Sequence, residues 1–204
     1  FRAFSFVDEI TRLEPGVRIR GRYVIPSAGD SFPVSLVGEA VGQLAAWSAM
    51  AATGFTHRPV AGIAGRIELG ASVRPGQVLE LAAEIESVDT GTVGYSGTAH
   101  AQGDLVIRLQ DCVGPMVAIE ELDDPQALRD RFTRISTGGT QPGAFGGLPA
   151  LPLERGGGEP GQSACVLLRV PPDAPFFADH FPRRPVFPGT LLMHANLQTA
   201  AWLA

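Results

Sequence analysis

Apolar and polar positions follow two regimes along the first part of the chain. In "VRIRGRYVI", Val17–Ile25, they alternate as they do in a half-buried β-strand. In "VSLVGEAVGQLAAWSAMAA", from Val34 to Ala52, charge almost vanishes and apolar residues occupy every side, which predicts a long buried helix. Strand-like segments then return in "AGIAGRIELGASV", "QVLELAAEIESV", "TVGYSGTAHAQ" and "DLVIRLQDCVGPMVAI". Turn signals at Pro75-Gly76, Asp89-Thr90-Gly91 and Gln102-Gly103-Asp104 separate them. One long helix wrapped by an antiparallel sheet is the simplest α+β architecture for residues 1–121.

Residues 122–160 break this pattern. "DDPQALRDRFTRI" predicts a short amphipathic helix, and "STGGTQPGAFGGLPALPLERGGGEPGQ" is dense enough in Gly and Pro to read as a linker. From residue 161 to 204 a strand ("ACVLLRV"), a structured loop ("PPDAPFFADHFPRRPVFPG") and a second apolar helix ("TLLMHANLQTAAWLA") follow. This third segment repeats the first. A shift of 155 positions lays residues 32–49 on 187–204 with nine identities in eighteen, including Phe32/Phe187, Pro33/Pro188, Gln43/Gln198 and Trp47/Trp202. Matching alanines are expected of two Ala-rich helices; Phe-Pro, Gln and Trp in one register indicate a duplicated unit. The copies differ at their ionisable positions. Glu39 stands opposite His194, and His180 opposite Ile25.

Composition narrows the function. The 204 residues are 45% hydrophobic and 18% charged, enough for a packed core. A net charge of -5 speaks against a general nucleic-acid binder. The central helix carries Glu39 and Gln43, which suits a buried helix better than a membrane span. Cys112 and Cys165 form neither a disulfide framework nor a metal spacing, as in a cytoplasmic, reducing setting. No signal peptide is visible. The chain opens on Phe1 and stops at Ala204 within a helical pattern, so it reads as a piece of a larger polypeptide.

"HFPRRPVFPGTLLMHANLQ" resembles the signature of the bacterial β-hydroxyacyl-acyl-carrier-protein dehydratases. "FSFVDEITRLEPGVRIRGRYVI" and "RPGQVLEL" are similar to their N-terminal and Pro-Gly strand regions. The resemblance implies a hotdog fold, in which a long central helix is wrapped by a curved antiparallel sheet. Here it implies two tandem copies, residues 1–121 and 161–204, the second incomplete at its C-terminus. It implies a pseudo-dimer within one chain, with a homodimer as a further option. The partner would be an acyl carrier protein presenting a phosphopantetheine-linked 3-hydroxyacyl chain. Carried over, His180 matches the catalytic histidine and Glu39 the acidic residue supplied by the other copy. Gly189 matches a glycine whose N–H faces the thioester carbonyl, and Gln43 a supporting amide. Phe181, Pro188, Arg183 and Arg184 fall beside them as substrate-binding positions, the arginines toward a phosphate or an acidic carrier. The first copy has no histidine, and the second has His194 where the acid belongs. One composite site, Glu39 with His180, and one degenerate site are therefore expected.

The residue types suit this chemistry independently. Dehydration removes the proton beside the carbonyl and protonates the leaving hydroxyl. A histidine can be basic near neutral pH, and a glutamate on so apolar a helix can hold a proton to give. A helix-start N–H can face the developing enolate oxygen. No metal or organic cofactor is required. Other readings stay open: Glu39 as a structural carboxylate paired with an arginine, His180 satisfied by the backbone, Gln43 as a tie from helix to sheet. At the level of function the alternatives are a hotdog thioesterase or enoyl-CoA hydratase, and a non-catalytic acyl-binding or scaffolding hotdog.

Overall fold

A computed structural model describes residues 3–27, 32–60, 62–138 and 151–203. Strands β1 (Glu9–Glu14) and β2 (Arg18–Val24) precede helix α1 (Val34–Ala52). Strands β3 (His57–Pro59), β4 (Ile63–Leu69), β5 (Val78–Val88), β6 (Thr92–Ala101) and β7 (Asp104–Ala118) follow. Helices α2 (Ile119–Leu122) and α3 (Pro125–Ser136) lead to β8 (Leu153–Gly157), β9 (Cys165–Leu168) and α4 (Gly189–Ala201).

The first seven strands form one antiparallel sheet in the order β1-β2-β5-β6-β7, with β3 and β4 sharing the far edge of β7. Alternation decides which face is wet. In β5, Leu79, Leu81, Ala83 and Ile85 turn inward, while Glu80 and Glu84 turn outward to Arg22 and Arg20 of β2, at 3.1 and 2.7 Å. The inner face wraps α1, which packs against β2, β3, β5, β6 and β7. Twelve of the nineteen α1 residues are buried, which explains its all-round apolar sequence. The helix lies close enough to the sheet to crowd two strand glycines. A Cβ on Gly97 would sit 2.5 Å from Val41 Cγ1, and one on Gly21 2.7 Å from Leu44 Cδ1. This is the expected hotdog arrangement of α+β class.

Helix α4 leans on α1 and begins as α1 does, after a proline in the same extended conformation (Pro33 φ -61, ψ 137; Pro188 φ -61, ψ 127). Matched positions Leu36 and Leu191, Ala40 and Ala195 are buried in both helices. Val37 and Trp47 are buried under the sheet, whereas Leu192 and Trp202 in the same register are 49% and 40% exposed.

Two strands lie where no strand pattern was legible, three-residue β3 and β8, and β1 falls in the segment that only the resemblance marked as a strand. The amphipathic helix expected after residue 122 is α3, whose Leu128 and Ile135 are buried in the core, and the stretch read as a linker carries β8, which pairs with β9. Its residues 139–150, like Ala204 of the repeat, lie outside the described residues. Among the described residues no helix is long and apolar enough to cross a membrane.

Candidate active site

Glu39 sits in the second turn of α1, half-buried, with both carboxylate oxygens engaged. Gln43 Nε2, one turn later, donates to Oε1 at 3.0 Å. Thr190 Oγ1, from the first turn of α4, donates to Oε2 at 2.7 Å. The Gln43 amide is itself fixed. Its Nε2 also donates to Phe4 O at 3.1 Å, and its Oε1 accepts from Phe6 N–H at 2.9 Å. Gln43 thus meets Glu39 and ties the helix to the N-terminal segment ahead of β1 rather than to the sheet.

His180 follows a short 3-10 turn, Pro175–Ala178, and its N–H closes that turn on Phe176 O at 2.8 Å. The loop is fastened to earlier parts of the chain on both sides of the histidine. Before it, Asp179 Oδ2 accepts from the N–H groups of Ala3 and Phe4 at 2.6 and 2.9 Å. After it, Arg183 donates from its backbone to Leu122 O at 3.0 Å and from its guanidinium to Glu120 O at 2.9 Å, and it pairs with Asp124 at 3.3 Å. Between these anchors the imidazole packs against the rings of Phe4 and Phe181, with centroids at 5.4 and 4.3 Å. Phe181 adopts φ +61, a left-handed conformation uncommon for a bulky side chain and often found where function constrains the backbone.

His180 Nδ1 lies 2.7 Å from Val186 O. A carbonyl can only accept, so Nδ1 carries the hydrogen and the lone pair resides on Nε2. Burial holds the imidazole below its usual pKa of 6.5, against the pull of the Glu39 carboxylate and the Val186 carbonyl.

Glu39, Gln43, His180, Phe181, Gly189 and Thr190 open into one cavity of about 300 Å³ between α1, the sheet and α4. Gly189 is the first residue of α4, so its N–H lies ahead of the intrahelical ladder, and a Cβ there would meet open space. Pro188 is buried as the N-cap of α4, and Arg183 and Arg184 stand outside the cavity lining, Arg183 tied to the α2–α3 junction. His194 is half-buried in α4, outside the cavity lining, and burial lowers its pKa. His57 and His100 lie in β3 and β6. A recess of about 440 Å³ beside Asp8, Glu9 and Arg22 holds none of the candidate residues.

Thr190 and Arg58 line the cavity and escaped the sequence reading. Thr190 had a faint signal, since the repeat places it opposite another hydroxyl, Ser35. Arg58 of β3 had none; it lines the cavity and pairs with buried Asp123.

A family model described as ApeI dehydratase matches residues 158–204. Over 45 residues the chain is 49% identical to the 3-hydroxyacyl-[acyl-carrier-protein] dehydratase FabZ of Nitrosospira multiformis, covering 22% of this chain and 31% of that one. Over that segment the chain is similar to the β-hydroxyacyl-acyl-carrier-protein dehydratase family. A second dehydratase FabZ, from Rhodospirillum rubrum, is 51% identical over 43 residues, covering 21% of this chain and 27% of that one. The match thus spans under a third of the length of these dehydratase relatives. Conserved protein PA5202 from Pseudomonas aeruginosa aligns with a TM-score of 0.45 at 12% identity, over 53% of this chain and 87% of that one. The dehydratase-family segment thus holds β9, the His180 loop and α4, while Glu39 comes from α1 outside it.

Proposed function

We propose that the protein removes water from 3-hydroxyacyl thioesters held on acyl carrier protein, giving trans-2-enoyl thioesters in fatty-acid or polyketide-type synthesis. Its two hotdog units pair as a pseudo-dimer within one chain. The observation that carries this reading is that Glu39 of α1 and His180 of the dehydratase-family loop open into a single cavity.

In this mechanism His180 Nε2 takes the proton beside the thioester carbonyl, its Nδ1–H held by Val186 O. The Gly189 N–H faces the carbonyl oxygen as negative charge develops there. Glu39 gives its proton to the departing hydroxyl. The carboxylate that results is received by two donors already in place, Gln43 Nε2 and Thr190 Oγ1. His194 takes no part. Arg184, exposed at the loop, faces the carrier, while Arg183 holds the loop.

The test follows water loss from 3-hydroxyacyl thioesters of several chain lengths with wild type, Glu39→Gln and His180→Ala. Turnover in wild type, lost by 10²-fold or more in both folded variants, is the expected result. Thioester hydrolysis without dehydration would replace this reading with a thioesterase. Acyl binding without turnover would replace it with a carrier or scaffold.

A further inference from the structure

Arg58 belongs to neither the dehydratase-family segment nor the acid–base pair, yet it is a cation at the wall of the cavity. Its side chain is 16% exposed and pairs with Asp123, which is 3% exposed. Asp123 is held in turn by the N–H of Asp124 on its other oxygen, at 2.9 Å. The guanidinium lies over the ring of Phe181, 4.7 Å from its centroid, and that ring packs on His180. A continuous chain of contacts therefore runs Asp123–Arg58–Phe181–His180, from the first unit into the loop of the second.

We propose that Arg58 is a positioning residue for His180, holding the strained Phe181, and with it the imidazole, in the working orientation. This rests on the proposed dehydration for its consequence in turnover, but not for its geometry. A planar guanidinium suits the task because one face can cover an aromatic ring while the edge pairs with a carboxylate. Lysine, a point charge on a flexible stem, cannot do both. An ion pair this buried is also a poor source of stability, since desolvation of both charges offsets their attraction. Burial pulls Arg58 down and Asp123 up, and each charge opposes the shift of the other. An apolar pair of similar volume would pack this site as well; what it would not supply is a positive charge and a flat donor face beside the histidine.

The charge has a second effect. From α1 the Glu39 carboxylate favours imidazolium, and from β3 the Arg58 guanidinium disfavours it. Asp179, in the loop itself, has one oxygen committed to the Ala3 and Phe4 N–H groups. Tyr95 of β6 and Cys112 of β7, on the cavity wall, are kept protonated by burial, and α4 presents only the neutral Gly189, Thr190 and Met193 there. Arg58 thus disfavours imidazolium and keeps His180 ready to accept a proton, and it counters Glu39 whenever that carboxyl is ionised.

The experiment compares wild type with Arg58→Met, Arg58→Lys and the double variant Arg58→Met/Asp123→Asn, which leaves no unpaired buried charge. The His180 imidazole is titrated by NMR, and kcat and KM for dehydration are measured across pH. The expected result is an upward shift of the His180 titration in both variants lacking the Arg58 charge. Their kcat falls tenfold or more with a smaller change in KM. Arg58→Lys retains the titration but not kcat. An unmoved titration and unchanged kcat in the folded double variant would overturn the proposal. A wild type that titrates as described but does not dehydrate would overturn the proposed function instead, leaving the positioning of His180 intact.

Discussion

Thr190 Oγ1 donates to Glu39 Oε2 at 2.7 Å, so a hydroxyl from α4 fixes the carboxylate of α1. A hydrogen bond to a charged group contributes about 1.5–3 kcal/mol. Thr190→Val keeps the shape and removes the donor. It is expected to lower kcat for dehydration about tenfold, the equivalent of about 1.4 kcal/mol, with Thr190→Ser restoring most of the loss. Equal rates in wild type and the valine variant would remove Thr190 from the mechanism.

Gln43 has more to lose. In Gln43→Leu the Phe6 N–H and the Phe4 carbonyl lose their partner along with Glu39 Oε1. Part-buried groups left unpaired cost about 1–3 kcal/mol each. The variant should unfold at lower urea and turn over more slowly; a change in only one of these would separate the two roles of the amide.

Acid should weaken both folding and turnover. His180 and His194 are both lowered from 6.5 chiefly by burial. Between the folded and unfolded pKa values the unfolded chain binds more protons, so stability falls as pH falls. Their contribution is complete above pH 6.5 and is lost as pH drops through the folded values. The urea midpoint should decrease from pH 7.5 to pH 5, and by less in the His180→Gln/His194→Gln variant. The acid limb of kcat/KM should lie below 6.5, because His180 must be neutral to act. A limb above 6.5 would contradict the burial of the imidazole.

Gly97→Ala tests the seat of the helix. The added methyl meets Val41 Cγ1 at 2.5 Å and Ala82 O at 2.7 Å. Overpacking of this kind costs about 1–3 kcal/mol, read as a lower melting temperature. An unchanged melting temperature would mean that α1 can lift off the sheet freely.

The sequence showed what periodicity encodes. Strands β2 and β5 and helix α1 have long, uninterrupted patterns, and they lie where those patterns end. Strand β3 has only three residues and β8 ends in two glycines, too little pattern to register as strands. At the site, Glu39 was legible as a lone charge on an apolar helix, and His180 through its loop motif. Arg58 was not, because nothing local distinguishes it: its partner Asp123 is 65 residues away and its aromatic cover, Phe181, farther still. Contacts of that kind are decided by topology, and a one-dimensional pattern holds no trace of them.

The carbonyl of Val186 gives His180 a single port. With Nδ1–H bonded to Val186 O, Nε2 is the nitrogen left to take a proton and to release it. In the proposed dehydration, hydrogen lifted from a substrate is handed back to that molecule, passed to the Glu39 carboxylate in the same cavity, or exchanged through the mouth of the cavity. In a substrate labelled beside the carbonyl, the isotope retained in recovered material becomes a clock, counting how often the site meets solvent before the product departs.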